Sequence, residues 1–270
     1  MNKINLPLEE VRKIYETTGS INQVAKHFDV AWGIAKRACD ELGIKSTKKN
    51  QYGEITPYNL FSKIETEADA YWLGFLYSDG WVRSDKNEIG LGVQERDKEI
   101  LDKFKEYIGT NNKIQIRLKE KIKSHLAPDG HLIKSKQNFC SLTFSCKITK
   151  QNLINLGCFP NKSKIIHCPS VSQVPNNLFR HFMRGFIDGD GSIRWGERKD
   201  LVICSASMNF LIEATKRFEI NNFGVFYENQ FRISKSVLVQ QVLEKVYKDS
   251  VIYLPRKFNI YLLSCGSCSL

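Results

Sequence analysis

No stretch of this 270-residue chain approaches the ~20 consecutive apolar residues that a membrane-spanning helix needs, and Met1 to Val11 lacks the apolar core of a secretory signal. These absences lead to the expectation of a soluble, intracellular protein, placed in the cytoplasm. Acid is also in short supply. Twenty-nine Asp and Glu stand against 40 Lys and Arg, a formal charge of +11 and a pI near 9.2. Such a surface concentrates polyanions, so nucleic acid is the first partner to consider. The chain is not short of apolar residues. With 42% hydrophobic and 11% aromatic content it is no disordered tail, and it can hold one large domain and a small one. The eight cysteines, Cys39, Cys140, Cys146, Cys158, Cys168, Cys204, Cys265 and Cys268, show no disulfide framework, and a chain of this size needs none. Cys265-Gly-Ser-Cys268 has no second pair or spaced His after it, which argues against a zinc site.

The first part reads as three helices. Val11, Ile14 and Tyr15 recur at helical spacing between Leu8 and Thr17, Val24, Ala25 and Phe28 between Ile21 and Phe28, and Ile34, Ala35, Ala38 and Leu42 between Ala31 and Leu42. A short helix, a turn at Asp29-Val30 and a longer helix resemble a helix-turn-helix unit, which would offer Trp32, Lys36 and Arg37 to a major groove. A small helical bundle that only packs on its neighbour gives the same pattern. From Lys45 to Tyr58 the chain is polar and aperiodic, as a linker would be. The expected division is 1–45 helix-turn-helix, 46–57 linker, 58–173 first half and 174–270 second half of a larger domain.

That larger domain contains a repeat. Trp72-Leu-Gly-Phe-Leu-Tyr-Ser-Asp79-Gly80-Trp-Val-Arg83 aligns with Met183-Arg-Gly-Phe-Ile-Asp-Gly-Asp190-Gly191-Ser-Ile-Arg194, and the aspartates lie 190 − 79 = 111 positions apart. After each copy comes an alternating segment (Ile89, Leu91, Val93; Leu201, Ile203) and then an amphipathic helix. Thr66-Glu-Ala-Asp69 matches a capping box, so the first copy is a helix that ends at Asp79, with Gly80 expected as a left-handed closing residue. A carboxylate at a helix C-terminus is opposed by the helix dipole, so something positive should lie near it. Gly74 and Gly185 would let two such helices approach backbone to backbone. Packed with matching ends, they bring Asp79 and Asp190 together, where the carboxylates repel unless a hard divalent cation lies between them. Metal-assisted phosphodiester cleavage needs that geometry. An ordinary acidic turn or a calcium loop is the competing explanation of Asp188-Gly-Asp190-Gly, but Ser192-Ile-Arg-Trp195 supplies none of the later ligands of a calcium loop.

The two nonapeptides, Trp72 to Gly80 and Met183 to Gly191, resemble the motif that names the LAGLIDADG homing endonucleases. The resemblance covers the chain from about Pro57 onward. It implies an α+β fold of two pseudo-symmetric αββαββα halves with saddle-shaped antiparallel sheets, beside a small all-α helix-turn-helix domain. It further implies that Asp79 and Asp190 bind Mg²⁺, with Mn²⁺ able to substitute, and that each half cuts one strand of double-stranded DNA to leave short 3′ overhangs, as in intron or intein mobility. Two motifs in one chain make a monomer sufficient. Asp188 matches a first acidic position that caps a neighbouring helix in the family, whereas Tyr77 stands there in the first copy. Lys162 and Lys257 match late lysines that the family uses near its metals. A DNA-binding regulator without cutting activity, or an RNA maturase, is the alternative within the same family.

DNA contacts are expected on strand faces. Lys113-Ile-Gln-Ile-Arg-Leu-Lys119 alternates strictly, which sets Ile114, Ile116 and Leu118 toward a core and Lys113, Gln115, Arg117 and Lys119 toward DNA. Arg83, Arg194 and Arg232 are the other candidates. An ordinary solvated sheet face alternates in the same way.

Overall fold

A computed structural model of the chain describes residues 5–18, 21–44, 59–117, 123–126, 132–135 and 138–266. The chain divides into two compact units, Met1–Asn50 and Gln51–Leu270.

The described residues of the first unit form three helices, α1 (Leu8–Thr18), α2 (Ile21–His27) and α3 (Trp32–Glu41). The residues at helical spacing meet in the middle: Val11, Ile21, Val24, Ala25, Ala35, Ala38 and Cys39 are buried, with Ile14, Tyr15, Phe28 and Leu42 packed around them. Asp29 takes a left-handed φ of 47°, which lets α2 stop and α3 begin within a short turn. Trp32 opens α3 and is 49% exposed. Lys36 is paired with Asp40 one turn on, at 2.5 Å, and Arg37 Nε reaches the Gly33 carbonyl at 3.4 Å.

The second unit begins with α4 (Glu67–Ser78), β1 (Gly80–Val82), β2 (Glu88–Gln94), α5 (Glu99–Ile108) and β3 (Gln115–Arg117). A hairpin of β4 (Lys123–Leu126) and β5 (Leu132–Ser135) follows, then β6 (Phe139–Ser145) and α6 (Lys147–Asn155). The second passage is α7 (Asn176–Asp190), β7 (Gly191–Trp195), β8 (Lys199–Cys204), α8 (Met208–Arg217), β9 (Val225–Tyr227), β10 (Gln230–Ile233), α9 (Ser236–Tyr247) and α10 (Pro255–Ser264). The sheets run β1-β2-β6-β3 and β7-β8-β10-β9, antiparallel throughout and in the same order. Without the extra hairpin the first passage reads αββαββα, and the second reads the same followed by α10. This is an α+β fold of two like halves.

Register shows which residues share a face, because directly opposed residues of an antiparallel pair point the same way. In the first sheet Ile89, Leu91, Val93, Cys140, Leu142 and Phe144 are buried in the core. Trp81, Gly90, Gly92, Gln94, Phe139, Ser141, Thr143, Gln115 and Arg117 form the other face. In the second, Ile193, Leu201, Ile203, Phe231 and Ile233 are core, and Ser192, Arg194, Asp200, Val202, Cys204, Gln230, Arg232, Val225 and Tyr227 are the other face.

The halves meet through α4 and α7. Ala70 to Tyr77 of α4 are all buried, as is α7 from His181 to Asp188, the mark of helices enclosed by protein on every side. Their backbones touch at two glycines. A Cβ built on Gly74 would stand 2.0 Å from the Phe182 carbonyl oxygen, and one on Gly185 would stand 2.0 Å from the Tyr71 carbonyl oxygen. The two contacts are related by the same 111-position offset as the aspartates.

Two expectations need correction. Gly80 and Gly191 do not close their helices in the left-handed conformation. Gly191 has φ −88° and ψ 150°, and both glycines open strands. They are needed for room: a Cβ on Gly80 would lie 2.7 Å from the Leu76 backbone and one on Gly191 2.4 Å from the Ile187 carbonyl oxygen. The basic strand is also shorter than its alternation predicts. Lys113 precedes β3, and Ile116 is 47% exposed because β3 is a three-residue edge strand beyond the reach of the core. Leu118 and Lys119 lie outside the described residues. Among the described residues no helix is long and apolar enough to cross a membrane.

Placing a methyl group at the crossing should be costly. Gly185→Ala is expected to lower unfolding free energy by about 2–3 kcal/mol in a denaturant titration. A loss below about 0.5 kcal/mol, the range of ordinary surface changes, would mean that α4 and α7 are not in backbone contact.

Candidate active site

Asp79 and Asp190 are carried to one place by the helix crossing. Asp79 is the C-cap of α4, whose start is fixed by a full capping box: Asp69 N–H donates to Thr66 Oγ1 at 3.2 Å, and Thr66 N–H donates to Asp69 Oδ2 at 2.9 Å. Asp190 is the last residue of α7. A Cβ on Gly189 would lie 3.2 Å from Asp79 Oδ2 and closer still to the Ser78 side chain. The carboxylate of one half therefore lies over the helix end of the other.

Both carboxyls are held above the ordinary carboxylate range. Burial is the main cause for Asp79, which the Asp190 charge pushes further, to about 7, against the pull of Lys257 and Lys162. Burial also raises Asp190, again opposed by the two lysines. Two cations thus stand within electrostatic reach of two mutually repelling acids.

The lysines occupy matching places. Lys162 is buried in a 3₁₀ turn, Lys162–Lys164, entered through Asn161 in the left-handed conformation (φ 58°), and its Nζ donates to the Gly80 carbonyl at 2.5 Å. Lys257, in the first turn of α10, is fully buried and donates to the carbonyls of Ile187, Asp188 and Gly191 at 2.6, 2.7 and 2.6 Å. Each lysine therefore binds the carbonyl of the glycine that follows its aspartate. Lys257 thus binds carbonyls of the last turn of α7, where a cation is favoured by the helix dipole. Burial lowers the pKa of Lys257 to about 8.

Asp188 plays a different part from Asp190. Its carboxylate is fully enclosed and accepts from Tyr71 Oη at 2.9 Å, Tyr247 Oη at 2.5 Å and the Leu254 N–H at 2.8 Å. The last bond caps the entry to α10 and so positions Lys257. In the first copy Tyr77 Oη donates instead to the Leu156 carbonyl, at 2.5 Å. The capping arrangement is therefore unlike in the two halves.

The other sequence candidates stand on or beside the two sheets and in the first unit. Lys113, Gln115 and Arg117 are exposed at the first sheet's edge. Arg83 forks onto Asp85, with two contacts of 3.0 Å. Arg194 binds buried Asp200 through two nitrogens, and Arg232 approaches the same carboxylate at 3.4 Å. Trp32, Lys36 and Arg37 belong to the first unit.

Some neighbours of the site were not legible in the chain. A pocket of about 320 Å³ opens beside Asp79, lined by Gln94, Asp97, Phe139 and Arg256 among others. Gln94 Oε1 is buried there with no hydrogen-bond partner among the described residues. Asp97 is paired with Arg256 Nε at 2.8 and 3.0 Å. Cys204, on the second sheet, lies near enough to Asp190 for that carboxylate to raise its pKa, after burial. The one available signal was Arg256 standing next to Lys257. Nothing in the spacing pointed to Asp97. Among the described residues no three His, Cys, Asp or Glu side chains form a metal-binding group. Two hard carboxylate oxygens still suit Mg²⁺, which commonly binds through one or two carboxylates and completes its shell with water and substrate phosphate.

No family model matches the chain, and no curated protein matches it. Solved structures that it resembles include the homing endonuclease I-WcaI bound to its DNA recognition sequence, at 11% identity and a TM-score of 0.48, over 83% of this chain and 96% of that one. Another is the N-terminal LAGLIDADG domain of DUF199/WhiA, at 14% identity and 0.44, over 75% and 93%. A third is the meganuclease I-SmaMI bound to uncleavable DNA, at 13% identity and 0.42, over 74% and 90%. At that degree of likeness, what the chain does has to be argued from its own residues.

The raised carboxyls should be visible in stability. An unfolded Asp ionises near 3.8, while folded Asp79 keeps its proton to about 7. Folding is favoured by that proton, and the contribution is lost as pH rises from about 4 through 7. In metal-free protein, Asp79→Asn should therefore recover on the order of a few kcal/mol at pH 8 and almost nothing at pH 4. Equal effects at the two pH values in thermal unfolding would contradict this.

Proposed function

We propose that this chain is a metal-dependent, site-specific endonuclease of the LAGLIDADG kind that hydrolyses one phosphodiester in each strand of double-stranded DNA. The observation that carries the reading is the convergence of half-buried Asp79 and solvent-facing Asp190, both with raised pKa values, at the crossing of two repeated helices beside two buried lysines. For stability alone the arrangement is a poor one, since each acid sits at the negative end of a helix. A site that recruits a divalent cation and a phosphate makes sense of that cost.

Asp79 and Asp190 would hold Mg²⁺ or Mn²⁺. When bound, the ion supplies positive charge to the scissile phosphate and activates the attacking water. The chain's own residues do the rest. Lys162 and Lys257 fix the carbonyls at both helix ends, which keeps the aspartates in place, and add positive charge where a phosphate would sit. The faces that carry Gln115, Arg117, Arg194 and Arg232 offer donors to base edges and phosphates. The two halves, 58–173 and 174–270, act as an internal pair, so the chain works as a monomer and leaves short 3′ overhangs. In the 1–45 unit, α3 presents exposed Trp32 with Lys36 and Arg37, and this helix lengthens the contact with DNA.

The decisive test is a randomised DNA library, or the rejoined flanks of the coding locus, incubated with and without Mg²⁺, followed by sequencing of the cut ends. Asp79→Asn and Asp190→Asn should each lose at least about 100-fold in cutting rate, some 3 kcal/mol of transition-state stabilisation, and still bind the target. Specific binding by the wild type without any cut, metal present, would favour a regulator instead. Removing residues 1–44 should shorten the footprint and flatten the salt dependence of binding, since phosphate contacts are lost. An unaltered footprint would show that this unit does not touch DNA.

A further inference from the structure

The twofold repeat is broken beside one of the two aspartates. Register identifies the counterparts. Gly80 faces Leu91 in the first sheet and Gly191 faces Ile203 in the second. From there β2 runs three residues to Gln94 and β8 one to Cys204, so the second half is two residues shorter here and Asp97, three past Gln94, is matched by Ser207, three past Cys204. Lys162 and Lys257 bind the two glycine carbonyls, so the residue before each is also paired, and Arg256 corresponds to Asn161. An acid-base pair in one place is thus matched by a neutral hydroxyl and a neutral amide in the other.

The charged pair is built into the wall of the pocket at Asp79. Asp97 is 8% exposed and accepts from Arg256 Nε on both carboxylate oxygens, at 2.8 and 3.0 Å. Nε is one of five N–H donors of a guanidinium, and the terminal nitrogens carry the other four. The Arg256 side chain is 39% exposed and lines the pocket together with Asp79, Gln94 and Phe139. A planar fork anchored by one edge to a buried acid is preorganised to receive an oxyanion on its other edge, and Arg matches phosphate geometry better than Lys does. Asp97 belongs to the first half and Arg256 to the second, so the anchor also spans the two.

Resting on the endonuclease reading, we infer that Arg256, held by Asp97, is a positioning residue for a backbone phosphate of one strand only, so that the two strands are not processed alike. The fork approaches the phosphate on the Asp79 side. On the Asp190 side Asn161 and Ser207 supply no charge.

The test follows each end-labelled strand of the selected target separately, with wild type, Arg256→Gln, Arg256→Lys and Asp97→Asn. Arg256→Gln is expected to slow one strand by about tenfold or more, the worth of a charge-assisted hydrogen bond, and the other by less than about twofold, so that nicked DNA accumulates. Arg256→Lys should restore part of the lost rate, and Asp97→Asn should slow the same strand to a lesser degree. Thermal unfolding in parallel reports any loosening of the two halves. If both strands slow equally, or neither does, the pair is only a staple and the inference is overturned. Phosphate-ethylation interference without metal provides a second readout: Arg256→Gln should abolish sensitivity at one central phosphate on one strand. Unchanged interference overturns the inference even when cutting is intact. A wild type that binds without cutting defeats the endonuclease reading alone, since interference still decides the role of Arg256.

Discussion

The architecture of the larger unit depends on two helices that touch through their backbones. Side chains normally keep helix axes 8–10 Å apart. At Gly74 and Gly185 nothing intervenes, and a carbonyl oxygen of each partner occupies the place of the missing methyl. That contact orients both helices so that their C-terminal ends coincide. Everything at the candidate site is a consequence of this end-to-end match: the paired aspartates, the paired strands that leave from Gly80 and Gly191, and the lysines that come back to those glycines.

Bringing negative helix ends and two acids together is electrostatically unfavourable, and the fold answers it with buried cations. Lys257 is fully buried on three carbonyls, and Lys162 on one. The offset is incomplete, since Asp79 still ionises only near 7. The divalent cation of the proposed mechanism would offset the remaining imbalance. Asp188 supports this from behind, because the capped start of α10 governs where Lys257 enters.

Pseudo-symmetry here is a matter of backbone more than of side chains. Strand order and crossing contacts repeat, yet Tyr77 stands for Asp188, Gly92 for Cys204 and Asn161 for Arg256, and among the described residues only the first half carries a hairpin like that of β4 and β5. A protein built from two copies in one chain can let them diverge, and an asymmetric DNA site would reward that.

Much of this was legible in the chain because it rests on local chemistry. Helical spacing located α1 to α3, alternation located β2 and β8, the capping box located the start of α4, and two Asp-Gly ends at one offset pointed to a paired acidic site. Local rules failed where neighbours decide. Gly80 reads as a left-handed cap, but the space taken by Leu76 is what demands glycine there. Ile116 alternates like a core residue, but its strand lies at an edge. Asp97 and Arg256, far apart in sequence, become a pair only when the halves close on each other. The sequence by itself determined the repeat, its helices and strands, and the acids at the helix ends, since periodicity and capping act over a few residues. Tertiary structure alone decided which carbonyls Lys162 and Lys257 bind beside those acids, how far loss of solvent raises the acids and where the twofold fails, because distance in space and loss of solvent are not encoded at any one position.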